Sequence, residues 1–254
     1  MIGIGRAILG SMPDQPARST SRITVALDGP ASSGKSSVGA AAARELGLRF
    51  VDTGLIYRAM TAMALREGVA LDDASAVVPL ATRATLGDDG TGRLTRVLLD
   101  GIDATDDVHT EAVDVAVSAV SSVPEVRAAL LERQRRLAAP GGIVVAGRDI
   151  GTVVLPDADL KVFLDASVEE RAGRRIAERG LDPDGEEARL VREQLRSRDF
   201  QDRNRAVAPL RAADDAVHIR TDGNTFRQTV DLVIDAIRTA EAALDVATTE
   251  AGAR

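Results

Sequence analysis

Five short, mostly apolar runs predict the core strands of the chain: residues 23–27, 50–52, 143–146, 160–164 and 216–220. In 143–146, Ile-Val-Val-Ala, apolar residues follow one another without alternation, the mark of a strand buried on both faces. Helical patterns lie between these runs, at 37–46, 55–67, 111–120, 124–138, 186–205 and 225–244. Gly47 and Gly68 act as stops, and Pro124 suits a first helical turn. Ser167-Val168-Glu169-Glu170 reads as a capping box that opens a helix to about residue 179. A further short helix, 74–84, is interrupted near Pro79. The period changes at 91–104, where Asp89-Gly90 and Asp100-Gly101 mark turns between short strands. This β patch lies between helices, so it is expected as an insertion outside the central sheet. Alternating strands and helices predict an α/β protein with a doubly wound parallel sheet of five strands.

Composition narrows the class. The 254 residues suit one α/β domain with inserted pieces, or two small domains. The chain is 44% hydrophobic but only 2% aromatic, so Ala, Val, Leu and Ile must build the core. No cysteine is present, which excludes disulfides and thiolate metal sites and fits a reducing, cytoplasmic setting. No apolar run reaches the roughly 20 residues of a membrane span. A net charge of −7 disfavours polynucleotide binding. Residues 1–22 lack periodicity and read as a disordered tail, or as a segment upstream of a true start at Met12.

Chemistry enters after the first strand. Gly29-Pro30-Ala31-Ser32-Ser33-Gly34-Lys35-Ser36 fits G-x-x-x-x-G-K-[ST], between a strand and a helix. In a P-loop the backbone N–H groups, here reaching Ser37, wrap phosphate oxygens. Lys35 then reaches the β- and γ-phosphates, and the Ser36 hydroxyl reaches a Mg²⁺ ion. Lys35 and Lys161 are the only lysines in an arginine-rich chain, so no N-K-x-D guanine-reading segment exists and a GTP switch is excluded. The nearest ATPase-like acidic strand end, Asp165, is followed by Ala166 and could simply precede the capping box.

Two further strand ends carry arginine beside polar groups: Asp52-Thr53-Gly54-Leu55-Ile56-Tyr57-Arg58 and Gly147-Arg148-Asp149-Ile150-Gly151-Thr152. Ligands of parallel sheets bind at the C-terminal strand edges, so both segments should face the P-loop site. An arginine fork suits a phosphate monoester, and a carboxylate beside it suits a sugar hydroxyl or an exocyclic amine. Late in the chain, Arg198, Asp202 and Arg205 share one helical face.

These segments together resemble bacterial cytidylate kinases, of the nucleoside monophosphate kinase group. The carriers are the P-loop, Asp-Thr-Gly-x-x-Tyr-Arg, Gly-Arg-Asp-x-Gly-Thr-Val-Val and Arg-Asp-x-x-Asp-Arg-Asn-Arg-x-x-x-Pro-Leu, in that order from about Ile23 to the last helix. The resemblance implies a P-loop NTPase-type three-layer fold and phosphorylation of CMP and dCMP by ATP with Mg²⁺. It implies a core of residues 23–55, 140–170 and 198–248, a monophosphate-binding insert of 56–139 that holds the β patch, and a lid of 171–197. It places Thr53, Tyr57 and Arg58 at the acceptor nucleotide, Arg148 at its phosphate, and Asp149 at its base or sugar. Ser118 and Arg127 would read the cytosine, Asp202 the ribose, and Arg198 and Arg205 the phosphates. Lid residues Arg171, Arg174 and Arg175 would approach ATP. Lys35, Arg148, Arg198 and Arg205 form the expected catalytic set, and a monomer is expected. The chain departs from the family pattern in two ways: serine at 32 or 33 where many relatives have glycine, and Gln201 where arginine is common. His109 and His218 have no role in this scheme. Two alternatives stay open: a kinase of another monophosphate or of shikimate, and a nucleotide-binding regulator that transfers nothing.

Overall fold

The computed structural model describes residues 23–252; the expected tail at 1–22 lies outside the described residues. The first half of the chain forms β1 (Thr24–Asp28), α1 (Lys35–Glu45), β2 (Arg49–Asp52), α2 (Gly54–Glu67) and α3 (Ala74–Val77), with a 3₁₀ turn over Val78–Thr82. It continues through β3 (Ala84–Asp88), β4 (Arg93–Leu99), β5 (Ile102–Asp103), α4 (Glu111–Ser122) and α5 (Pro124–Ala138). Then come β6 (Ile143–Gly147), a π-helical turn over Ile150–Val154, β7 (Leu160–Asp165), α6 (Val168–Glu178), α7 (Glu186–Asn204), β8 (Val217–Arg220) and α8 (Phe226–Gly252).

The five expected core strands are parallel, in the order β2-β6-β1-β7-β8. The β patch does not stand apart from them. β4 pairs parallel with β2, Phe50 opposite Arg93 and Val51 opposite Leu94, and β3 and β5 pair antiparallel with β4. The insertion therefore extends the sheet, because the free edge of β2 offers backbone groups that the patch satisfies. β3 begins at Ala84, the last residue that the sequence pattern assigned to a helix, and runs on through residues for which it gave no element.

Successive residues of β1 and β6 are buried on opposite faces. Val25, Leu27, Val144 and Ala146 pack under α1 and α8, against Val38, Ala42, Val233 and Ile237. Ala26, Ile143 and Val145 pack on the other side with Ile150, Val154 and Ala138. Both faces are dry, as a doubly covered sheet requires. Gly39 lets α1 lie close on this sheet, since a Cβ there would stand 2.7 Å from Leu27 Cδ2 and 2.9 Å from Phe50 Cε2. A separate apolar cluster fills the insert, with Met60, Met63, Val97, Val120 and Leu130. α2 and α7 run unbroken through 55/56 and 197/198, so the expected units share rigid helices rather than linkers.

α6 and α7 form a hairpin over Ala172, Ile176, Ala188, Val191 and Leu195, which also covers Ala31 of the P-loop. The capping box at its start is half formed. Ser167 Oγ accepts from Glu170 N at 3.2 Å, but Ser167 N donates to Asp222 and Glu170 pairs with Arg174. Among the described residues no helix is long and apolar enough to cross a membrane.

Candidate active site

The C-terminal ends of β1, β6 and β2 open into one cavity of about 510 Å³. β1 runs into the P-loop. Gly29 is required there because a Cβ would lie 2.1 Å from the Leu164 carbonyl oxygen, and Gly34 adopts φ 93° at the N-terminus of α1. Ala31, Ser32 and Gly34 to Ser37 line the cavity, whereas Gly29, Pro30 and Ser33 lie behind its wall. Lys35 is 5% exposed and donates from Nζ to Pro30 O at 2.8 Å. Burial and the nearby Arg148 push its ammonium well below the usual lysine value, with Asp52 opposing. Ser36 Oγ donates to Asp52 Oδ2, while Asp52 Oδ1 accepts from Gly54 N at 2.9 Å. A hydroxyl oxygen and a carboxylate oxygen side by side are donors of the kind a hard divalent cation prefers.

The β6 turn is tied to the P-loop strand from below. Both carboxylate oxygens of Asp28 accept backbone N–H bonds at 2.8 Å, from Ile150 and Gly151. The π-helical turn thus fixes where Arg148 and Asp149 point. Arg148 Nε donates to Asp202 on α7 at 3.0 Å. Asp149 accepts from Arg127 of α5 and, at 3.4 Å, from Arg205. Arg127 also lies 5.5 Å from the Tyr57 ring centroid, in cation–π range. Tyr57 is buried, and burial raises its pKa above the ordinary tyrosine value, with Arg127 and the Gln134 side chain opposing. Arg198 is held down to about 10 by burial and by Arg148, and its Nε has no acceptor.

The cavity lining holds eight basic side chains, Lys35 and Arg58, 127, 148, 174, 175, 198 and 205, against four acidic ones, Asp52, Asp149, Glu178 and Asp202. A cationic cleft in a chain of net charge −7 is a site for anions. The sequence-selected residues fall around it unevenly. Thr53 lines the cavity, but its hydroxyl donates to Ala146 O at 2.9 Å. Arg58 lines it beside Asp114. Arg174 donates to Thr221 O at 2.6 Å, and Arg175 reaches Ser32 Oγ at 3.3 Å.

Two residues lie elsewhere. Arg171 is 2% exposed beneath the P-loop, with its guanidinium bonded to Asp199, Ala31 O and Ala166 O. It supports the loop rather than facing the cleft, because Val168, Ala172 and Ile176 turn that side of α6 into the hairpin. Ser118 lines a separate cavity of about 320 Å³ between α4 and α7, and Ser121, nearly one turn on, lines the main one. Sequence reasoning gave no role to Asp28 or Asp114. His109 also lines the main cavity, and burial beside Arg58 holds its pKa below the ordinary histidine value.

One cleft with a P-loop on one side and an arginine-lined pocket on the other can hold two phosphorylated groups end to end. Fold and site therefore place the chain among the P-loop phosphotransferases. The cytidylate kinase family model matches residues 25–239. A curated cytidylate kinase of Rhodococcus opacus (strain B4) is 49% identical over 206 residues, 80% of this chain and 89% of that protein. One from Streptomyces avermitilis is 42% identical, covering 91% of this chain and all of the relative. One from Desulforamulus reducens is 47% identical over 83% of this chain and 94% of its own length. The chain belongs to the cytidylate kinase family, whose activity is the ATP-dependent phosphorylation of CMP and dCMP.

Proposed function

We propose that ATP lies along the P-loop with its terminal phosphates at Gly34, Lys35 and Ser36. CMP or dCMP lies opposite, its phosphate among Arg58, Arg148, Arg198 and Arg205. Its cytosine and sugar lie toward Tyr57, Arg127, Asp149 and Asp202. The observation that carries this reading is Arg198: a half-buried guanidinium whose buried Nε has no acceptor, with Arg148 and Asp202 beside it. An unsatisfied buried donor is unfavourable until an acceptor fills the site, and a phosphate oxygen does so.

A phosphate oxygen of CMP attacks the γ-phosphorus of ATP, the bond to the β–γ bridging oxygen breaks, and ADP leaves. The attacking phosphate needs no protein base. Lys35, Arg148 and Arg198 hold the spread charge in place, so positioning and electrostatics supply the rate. Ser36 and Asp52 would hold Mg²⁺, which supplies further neutralisation of phosphate charge. The α6–α7 hairpin closes over the P-loop side, excluding water from the transfer. The enzyme works as a cytoplasmic monomer and binds no polynucleotide, in keeping with its acidic balance and lack of cysteine.

Arg148→Ala tests the acceptor site. Its kcat/KM for CMP should fall about 100-fold or more while ATP binding, read by calorimetry, is unchanged. Wild-type turnover of CMP in this variant would mean that the acceptor phosphate binds elsewhere.

A further inference from the structure

Asp114 stands in the first turn of α4 and belongs to none of the motifs that define the family resemblance. Its side chain is 8% exposed and gathers arginines from three helices. Arg58 of α2 donates to one carboxylate oxygen. Arg175 and, at 3.1 Å, Arg179 donate to the other from the α6 segment. Arg198 of α7 brings Nη1 to 3.9 Å. Arg58 donates its second Nη to Val108 O at 2.9 Å, and Arg175 also touches the P-loop hydroxyl of Ser32. One carboxylate thus joins insert, lid and P-loop, and it faces four guanidinium groups. Burial works against its charge, yet Arg58 and Arg175 hold its carboxyl below the usual carboxylate range, so it is ionised at neutral pH.

We propose that Asp114 is a positioning residue, a built-in anion that holds Arg58 and Arg175 in the nucleotide-free enzyme, yields them to incoming phosphate, and thereby sets the affinity for CMP. A carboxylate has four lone-pair sites, and here they are shared among four arginines, two of which, Arg58 and Arg198, the proposed function assigns to the CMP phosphate. Each guanidinium on Asp114 is one that a nucleotide must win from it. A phosphate dianion carries more charge and a third oxygen, so it displaces the carboxylate. The negative charge left beside it still weakens binding. In exchange, the arginines wait gathered at the cleft instead of spreading into solvent. The proposal rests on the proposed placement of Arg58 at the CMP phosphate and on the expected approach of Arg175 to ATP.

Calorimetric titration of CMP into the full-length enzyme tests it. Asp114→Asn removes the competing charge and should tighten CMP binding by about fivefold or more. A merely structural role would leave binding equal or weaker, and either result overturns the proposal. Asp114→Glu restores the charge and should return the dissociation constant to within about twofold of wild type. If it tightens binding as the amide does, charge is not the cause. Arg179→Gln removes one counter-charge and leaves the carboxylate freer to hold Arg58 and Arg175, so CMP binding should weaken several-fold. Where Asp114→Asn does not fold, unchanged or tighter binding in Arg179→Gln overturns the proposal alone. Arg58→Gln separates the underlying placement from the proposal: unchanged CMP binding there means that Arg58 is not at the phosphate.

Discussion

Asp28 carries a prediction in which stability, pH and site geometry meet. The side chain lies at the end of β1, 4% exposed, with Ile150 N and Gly151 N donating to its two oxygens. Burial raises its pKa from 3.8 to about 6, despite the two N–H donors that favour the charge, and Asp149 adds to the rise. Two units correspond to about 3 kcal/mol. Because the folded value is the higher one, the stabilisation from this group is complete below pH 3.8 and is lost as pH rises through about 6. From pH 4.5 to 7.5 the loss amounts to about 2 kcal/mol. Asp28→Asn keeps the shape and removes the charge. The amide oxygen retains one N–H bond, but the amide nitrogen faces the other donor and leaves it unpaired, costing about 1–3 kcal/mol. Near pH 7.5 the two effects offset each other within about 2 kcal/mol. Urea unfolding of both proteins at pH 4.5 and 7.5 gives the test, since titrating groups remote from Asp28 cancel in the difference. The variant should gain about 2 kcal/mol on wild type between the two pH values. A stability difference that does not change with pH would refute the reasoning.

Two further substitutions test how the site is carried. Gly39→Ala forces a methyl against Leu27 and Phe50; overpacking of about 1–3 kcal/mol exceeds the roughly 1 kcal/mol gained in helix propensity. Thermal unfolding should therefore show a lowered Tm, and an unchanged or raised Tm would mean that α1 has room to shift. Asp199→Asn leaves the Arg171 guanidinium buried without its counter-charge and should cost about 3–5 kcal/mol in urea unfolding. Arg171 also holds Ala31 O in the P-loop, so KM for ATP should rise more than KM for CMP.

What the sequence disclosed and what it hid divide along physical lines. The P-loop was legible because its glycines answer local demands: the backbone approach at Gly29 and the positive φ at Gly34. The five core strands were legible because a sheet covered on both faces leaves apolar runs such as 143–146. The pairing of β4 with β2 was hidden, since it joins residues about 40 positions apart through backbone bonds that no side chain announces. The π-helical turn at Ile150–Val154 was hidden too; its apolar residues read as strand or loop, and the carboxylate that orders it, Asp28, is far away in sequence. Arginine-rich composition masked the difference between Arg171, buried under the P-loop, and Arg174 and Arg175 in the cleft. Helical spacing alone does not say which side of α6 meets α7. Asp114 escaped notice because a single acidic residue in an amphipathic helix carries no signal until the fold brings four arginines to it.

The most direct measurement is the initial rate of ADP release, coupled to a spectroscopic readout, with ATP and Mg²⁺ and each of CMP, dCMP, UMP, AMP and shikimate as acceptor. The arginine pocket with Tyr57, Arg127 and Asp149 beside it should turn over CMP and dCMP fastest. Faster release with UMP, AMP or shikimate than with CMP would contradict the account.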